Sequence, residues 1–468
     1  MGNTSFQVIV LGPTGGPRED AVTGILVRST STNWTRGSVI AVDAGTMLAG
    51  IVRLMEPHIP TTKSGRAGAV LKSGPFKGLK LPNKSAQANA AHVFRDIIGG
   101  FFITHPHLDH VSGLAMNTPI IEAGNGPKPV SALPSVLAAI KNHVFNDIIW
   151  PNLSDEDGGA GLLTYQRLVE GGNPRLGVGE TRGYIRACDG LTAKCLSVSH
   201  GQSWCSTPMI PDSAAVGDPW TILTMELSTP PGSPRLIGNQ PIMSSVESSA
   251  FFLRDDATGD EIVVFGDVEP DSISLEPRNR RVWETAAPKI ATGKLPAIFI
   301  ECSYTDSVHD PYLYGHLCPR HLVAELTVLA DKVLNVQERM EGTEKKRKRP
   351  IMGEPAFADP SPRNKRPQSI PGKGRSSVAS RGPFNEPLDN MGEFIDFDEF
   401  EPPDSSRWAK SSKPPLLGLS VYIIHIKETL NDGLYPGTRI IKELQTRSDT
   451  ANLGCQFFLP DPQDPLFI

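Results

Sequence analysis

With 468 residues, 39% of them hydrophobic, the chain can bury a sizeable core as one elaborated domain or as several. A formal charge of −5 excludes the global basic excess that nucleic-acid binding favours, and no apolar run approaches the length that crosses a bilayer. The 42 prolines and 44 glycines call for many loops and for one stretch too polar to fold on its own.

Met1-Gly2-Asn3-Thr4-Ser5-Phe6 has no basic segment followed by an apolar one, and Phe6 occupies the hydroxyl position of a myristoylation signal, so neither secretion nor acylation is expected. Phe6–Leu11 reads as a buried strand ahead of the turn Gly12–Pro17, which lacks a nucleotide fingerprint. Gly24–Ser29 and Ser38–Val42 read as two further strands. The second delivers Asp43 at its tip, either as a turn residue or as a carboxylate that orients a metal-binding imidazole. Residues 59–87 read as a surface excursion and 88–95 as a helix. The apolar run Ile97–Ile103 is then a strand that stops at Thr104-His105-Pro106-His107-Leu108-Asp109-His110. Three imidazoles and a carboxylate between His105 and His110 are all zinc-binding types, crowded at what should be the rim of a sheet.

Asp109 and His110 should open a helix that Asn117-Thr118-Pro119 ends. Val130–Phe145 alternates strand and helix signals, with a helix start near Pro134-Ser135, and His143 on that helix has no acidic or histidine companion and reads as structural. After the loop-rich residues 151–190, Leu191–Val198 is a strand ending in Ser199-His200-Gly201. Glu247–Arg254 and Glu261–Phe265 form a hairpin whose second strand ends at Gly266-Asp267. Leu295–Ile300 ends at Glu301-Cys302-Ser303. Tyr314-Gly315-His316-Leu317 follows, then a helix over Pro319–Leu334, on which His321 reads as structural.

Residues 340–412 differ in kind. Two basic clusters, 345–350 and 363–367, lie in a Pro/Ser/Gly background before an acidic tract, and the expectation is a disordered insertion. Leu416–Ile424 restores the strand pattern and delivers His425-Ile426-Lys427. The expected organisation is therefore one catalytic domain, 1–339 with 413–468, interrupted by 340–412. Six cysteines without a CxxC pair fit free thiols in a reducing compartment. The expected location is cytoplasmic, with a nuclear route through the basic clusters left open.

The strand tips collect His105, His107, Asp109, His110, His200, Asp267 and His425, with Asp43, Glu301 and His316 in reserve. Such a set suits two ions of borderline hardness, zinc first, with manganese or iron as alternatives. His105-Pro106-His107-Leu108-Asp109-His110 with Val111-Ser112-Gly113 resembles the HxHxDH signature of the metallo-β-lactamase superfamily. Together with Ser199-His200-Gly201, Phe265-Gly266-Asp267, Glu301-Cys302-Ser303, Gly315-His316-Leu317-x-Pro319 and His425-Ile426-Lys427, it resembles the class II 3′,5′-cyclic-nucleotide phosphodiesterases. The likeness runs from the Gly12–Gly16 turn to about Asp432, the insertion excluded. Thr118 stands where that family usually has serine.

The resemblance implies an α/β fold, a metallo-β-lactamase-like four-layer αβ/βα sandwich with metals at the sheet edge. It implies His105, His107 and His200 on one zinc ion, Asp109, His110 and His425 on the other, and Asp267 between them. Either His316 or His425 could be the last ligand; His425 is preferred because it follows the final strong strand. Glu301 would then orient His316 as a general acid. Asn117, Thr118 and Ser249 are candidates for phosphate or base contacts. The implied reaction is hydrolysis of cyclic AMP, with cyclic GMP left open, by a zinc-activated hydroxide in which Asp109 also takes part. The partner is a small-molecule substrate, with no membrane; nucleic acid is disfavoured and oligomerisation left open. Two alternatives are another superfamily phosphodiesterase, such as a tRNA 3′-processing nuclease, and a non-catalytic binding protein that uses the insertion.

Overall fold

The computed structural model describes residues 4–60, 68–121, 126–205, 242–347, 405–408 and 413–468. Its contacts divide the chain into one compact unit of Met1–Glu338 with Pro402–Ile468 and a second of Arg339–Glu401.

The first unit is built on two seven-stranded sheets. The first has the order β16-β1-β2-β3-β6-β7-β8, from Leu466–Phe467, Phe6–Gly12, Gly24–Ser29, Val39–Ala44, Ile98–Phe102, Lys128–Ala132 and Leu163–Arg167. The second has the order β15-β14-β13-β12-β11-β10-β9, from Gln456–Phe458, Ser420–Ile424, Ala297–Glu301, Glu261–Phe265, Ile242–Asp255, Leu191–Cys205 and Ile185–Cys188. A small hairpin pairs β4 (Ala69–Val70) with β5 (Lys80–Leu81). Each large sheet is antiparallel on one side and parallel on the other.

Side-chain alternation explains why the parallel strands read as unbroken apolar runs, since both of their faces are covered. Ile262, Val264, Ala297 and Phe299 pack into the core shared with the first sheet. Val263, Phe265, Ile298 and Ile300 face the opposite way, into a second core. Phe102 meets Phe251 edge-on across the sheets, their ring centroids 5.5 Å apart. Helices α1 (Leu48–Met55), α2 (Ala86–His92), α3 (Leu108–Asn117) and α4 (Pro134–His143) supply Ile51, Leu54, Ala90, Val111, Leu114, Val136 and Ile140 to the first core. Helices α5 (Asn279–Ala291), α6 (Pro319–Arg347) and α7 (Pro436–Thr450) supply Trp283, Ala286, Leu322, Leu326, Ile440 and Leu444 to the second. The result is helix, sheet, sheet, helix.

Three departures from the expected boundaries bear on the site and the core. Strand β10 does not stop at Val198. It continues through His200 to Cys205, with a register shift between Ser199 and Gln202 where Gly201 takes a φ of 66°. The histidine sits in a glycine bulge that breaks the apolar alternation used to read the strand. Helix α6 runs past Leu334 to Arg347, because strong helix formers such as Gln337, Glu338, Arg339 and Met340 extend it after its apolar stripe ends. Lys345, Lys346 and Arg347 of the first basic cluster are therefore helical. Finally, Trp408 belongs to the second core: it is 1% exposed and its Nε1 donates to Ala451 O at 2.9 Å. It had been counted in the insertion because its neighbours are polar. The rest of that expected disorder, residues 348–404 and 409–412, lies outside the described residues.

Candidate metal centre

The parallel pairing of β3 with β6 sets their C-terminal ends side by side, with Val42 opposite Phe102. Asp43 therefore meets the first residues of the polar cluster. It adopts a left-handed φ of 55°, unusual for a residue with a side chain, and its carboxylate accepts from Thr104 N at 2.8 Å, from Thr104 Oγ1 at 2.8 Å and from His110 Nδ1 at 2.8 Å. Helix α3 begins at Leu108, so Asp109 lies in its first turn, where the helix dipole favours a carboxylate.

The second sheet supplies the rest from the ends of three adjacent parallel strands. Asp267 follows β12, Glu301 ends β13 opposite Ile424, and His425 follows β14 with a φ of 58°. His200 comes from the bulge in β10. That bulge packs backbone to backbone on Gly315: a Cβ on Gly315 would lie 2.4 Å from Gly201 Cα, so this approach requires glycine.

Asp267 stands at the centre. One of its oxygens lies 3.0 Å from His425 Nε2 and 3.6 Å from both His105 Nε2 and His200 Nε2; the other is 3.3 Å from His110 Nε2. His425 Nε2 is also 3.7 Å from Asp109 Oδ2. Each of five imidazoles has a hydrogen-bonding partner for Nδ1: Thr104 Oγ1 for His105 at 3.1 Å, Asp43 for His110, Gly315 O for His200 at 2.8 Å, Glu301 Oε1 for His316 at 2.9 Å and Thr23 Oγ1 for His425 at 2.7 Å. With Nδ1 as the donor, Nε2 keeps a lone pair, which is how proteins prepare histidines for metals.

Three buried atoms at this focus, His105 Nε2, His110 Nε2 and Asp267 Oδ1, have no hydrogen-bond partner. Leaving such groups empty-handed is costly, and they point to a missing cation. The donor atoms form three overlapping sets, each within 4.8 Å: His105, His107, His200 and Asp267; Asp109, His110, Asp267 and His425; His200, Asp267, Glu301 and His316. Nitrogen and oxygen donors in this number fit divalent ions.

The charges follow from this crowding. Burial, reinforced by the neighbouring His110, holds His105 well below the usual imidazole range, and burial lowers His200 to about 4. Asp267 stays well below the carboxylate range, because His425, His110 and His105 outweigh the penalty of burial. His110 goes the other way: against burial, Asp267 and Asp43 raise it well above its ordinary value. Burial and then Asp267 push Glu301 up to about 7.

A profile described as "cAMP phosphodiesterases class-II" matches residues 6–345. The chain belongs to this family. It is 30% identical over 329 residues to a 3′,5′-cyclic-nucleotide phosphodiesterase of Schizosaccharomyces pombe, covering 70% of this chain and 76% of the relative. Against the Aliivibrio fischeri enzyme of the same description it is 26% identical over 327 residues, with coverage of 70% and 76%. The crystal structure of unliganded yeast PDE1 superposes with a TM-score of 0.61 at 21% identity, covering 99% of this chain and 100% of that one, so the fold is shared. This phosphodiesterase thus has the metallo-β-lactamase-type sandwich that the HxHxDH stretch implied. Its family and its donor sets together imply a divalent-metal enzyme.

All seven expected ligands converge, and Asp43, Glu301 and His316 lie against them. The three expected substrate contacts do not join them. Asn117 Oδ1 accepts from Leu48 N at 3.1 Å, tying α3 to the start of α1. Thr118 is fully buried, with its hydroxyl spent on Leu114 O. Ser249 is also fully buried, mid-strand opposite Ser197. Asn117 and Thr118 have thus spent these groups inside the protein, whereas the Ser249 hydroxyl is buried without a hydrogen-bond partner. Lys427, which was not among the expected site residues, has its Nζ 3.2 Å from His425 Nε2, 3.6 Å from Asp109 Oδ2 and 2.7 Å from Gly15 O. Its signal was its place two residues after a strand-tip histidine, within the same His425-Ile426-Lys427 stretch. Glu269, likewise not expected, is buried beside the bulge, where it accepts from Gly201 N at 3.1 Å.

Proposed function

We propose that the chain hydrolyses cyclic AMP, and cyclic GMP as a second substrate, to the 5′-nucleoside monophosphate with two zinc ions, lowering cyclic AMP in signalling. In this reading His105, His107 and His200 hold one ion, Asp109, His110 and His425 the other, and Asp267 touches both. The observation that carries it is the focus of three orphaned buried donor atoms inside the converging donor sets. Bound there, divalent ions supply a water acidic enough to ionise near neutral pH and neutralise the phosphodiester anion.

The remaining work falls to the chain. Asp43, Thr104, Thr23 and the Gly315 carbonyl fix the imidazole tautomers, and Asp109 holds its place at the start of α3. Lys427 brings a cation to the side of the cluster where Asp109 and His425 meet, suited to a phosphate oxygen. Water oxygen bonds to phosphorus as the bond from phosphorus to O3′ breaks, and the ring opens with phosphate left on O5′. The departing 3′ oxygen is strongly basic and takes a proton, which we assign to His316 Nε2. Glu301 engages the other ring nitrogen, at 2.9 Å, and so orients the ring that donates. That engagement also supports His425 over His316 as the last ligand, since His425 Nε2 is the nitrogen nearest Asp267.

The catalytic domain in this proposal is 1–339 with 413–468, interrupted by 340–412. Strands β14, β15 and β16, from beyond the interruption, join both sheets begun before it, which supports that division. A cytoplasmic location, with nuclear entry through the clusters at 345–350 and 363–367, is tested by imaging a tagged chain with and without those clusters. The function is tested by incubating purified, zinc-loaded protein with cyclic AMP and cyclic GMP and following the 5′-monophosphates. Activity abolished by chelation, restored by zinc and absent in Asp109→Ala is expected. An inert zinc-loaded protein sinks the reading.

A further inference from the structure

A cleft of about 1030 Å³ opens beside the metal-capable cluster, between the loop that follows β13, the segment that follows β14, and α7. Lys427, which reaches Asp109 and His425, lines it, as does Ser303, whose hydroxyl lies within hydrogen-bond distance of Glu301 Oε2 and His425 O. The inner end of the cleft thus reaches the metal-capable cluster through Lys427 and Ser303.

Tyr304 forms the wall next to that end. Its ring centroid is 6.0 Å from that of His316, its side chain is half-buried, and its hydroxyl has no hydrogen-bond partner among the described residues. Further out, the charges on the walls are largely paired with each other. Arg439 is held by Glu443 at 2.7 Å and Arg447 by Asp306 at 2.5 Å, while Val308, Leu434 and Pro436 add apolar surface. An aromatic and apolar wall beyond a cationic inner end suits a group that is planar and uncharged, attached to an anion.

We propose that this cleft holds the nucleoside half of a 3′,5′-cyclic nucleotide, with the Tyr304 ring as the platform on which the base stacks. The assignment rests on the cyclic-nucleotide reading above and adds the residue that positions the substrate. Residues 427–447, which build much of the cleft, lie beyond the 6–345 matched by the family profile.

Steady-state kinetics of the zinc-loaded full chain test it, with cyclic AMP compared against ribose 3′,5′-cyclic phosphate, which has the reacting ring and no base. Tyr304→Ala is expected to raise KM for cyclic AMP on the order of 10-fold with kcat changed much less, and Tyr304→Phe to restore the wild-type value, because the stack needs the ring and not the hydroxyl. The increase should be confined to the substrate that carries a base. Thr438→Trp, an exposed change on the α7 wall, narrows the same cleft and should show the same selectivity even if Tyr304→Ala folds poorly. Wild-type turnover of cyclic AMP with KM unmoved in both variants, or an equal loss on the base-free substrate, overturns the cleft assignment and leaves the function standing. A wild-type enzyme inert toward cyclic AMP overturns the function and the assignment with it.

Discussion

Asp43→Asn isolates what an orienting carboxylate contributes. Asparagine has nearly the same shape and tolerates the φ of 55°, so the backbone should stay where it is. What changes is donor against acceptor. One Asp43 oxygen accepts from Thr104 N at 2.8 Å, and the other from Thr104 Oγ1 and His110 Nδ1, each at 2.8 Å. An amide can turn its oxygen toward only one side. If the oxygen stays on Thr104 N, the NH2 faces His110 and forces that ring to accept at Nδ1, which moves its proton to Nε2, the atom otherwise free beside Asp267. Losing a hydrogen bond to a charged group costs about 1.5–3 kcal/mol, and the matching loss of metal affinity is about 10- to 100-fold. Competition with a chromophoric chelator reads that loss directly, and cyclic AMP turnover should recover as zinc is raised to saturation. If Asp43→Asn binds zinc within about twofold of the wild type while its melting temperature falls, Asp43 serves only to join β3 to β6, and the tautomer argument is wrong.

Other outcomes follow from the same geometry. Gly315→Ala places a Cβ 2.4 Å from Gly201 at a φ of 81°; we expect a loss of about 2 kcal/mol or more in urea unfolding, with weaker zinc binding through the displaced His200. Trp408→Ala removes a side chain that is 1% exposed and should cost about 3–5 kcal/mol, measured by the same unfolding curve. A third outcome concerns Glu325, remote from the metal cluster, where it accepts from Trp283 Nε1 and Asp271 N, both at 2.7 Å. Burial, then Asp271, pushes it up to about 7. Because its folded value exceeds the unfolded one near 4.3, its contribution is complete at low pH and drains away as pH rises from there through about 7, by up to about 3 kcal/mol. Stability that instead rises between pH 5 and 8 in proportion to Glu325 ionisation, compared with Glu325→Gln, would contradict this. Lys427→Met should raise KM for cyclic AMP about 10-fold or more through the lost phosphate contact, with no change in melting temperature.

The ligand candidates were legible because parallel strands end at one edge and each end carried a polar residue after an apolar run. Asp43, Asp267, Glu301 and His425 all have that form. Where the pattern was interrupted, the reading slipped. His200 seemed to end a strand because its bulge breaks the alternation, yet β10 continues to Cys205. Trp408 was invisible because a single buried aromatic among prolines and acids has no periodicity. Asn117, Thr118 and Ser249 were chosen by residue type, and type does not say which way a hydroxyl or amide points; packing turned Asn117 and Thr118 to neighbours inside the protein and buried Ser249 within its strand. The partners of Nδ1 were also beyond reach, apart from Asp43 and Glu301, since a carbonyl such as that of Gly315 leaves no trace in composition.

The place of β14 in its sheet has a consequence for biosynthesis. It lies between β13 and β15, although roughly 120 residues separate Glu301 from Ser420, and β13 has no other partner on that side. At typical ribosomal speeds those residues take about 6–24 s to appear. Throughout that interval the nascent chain presents a bare strand edge, the apolar stripe of α6 without Trp408, and Asp267 without His425. The longer the stretch between β13 and β14, the longer this half-site waits, so the number of residues between those strands sets a delay on the ribosome whatever else they do.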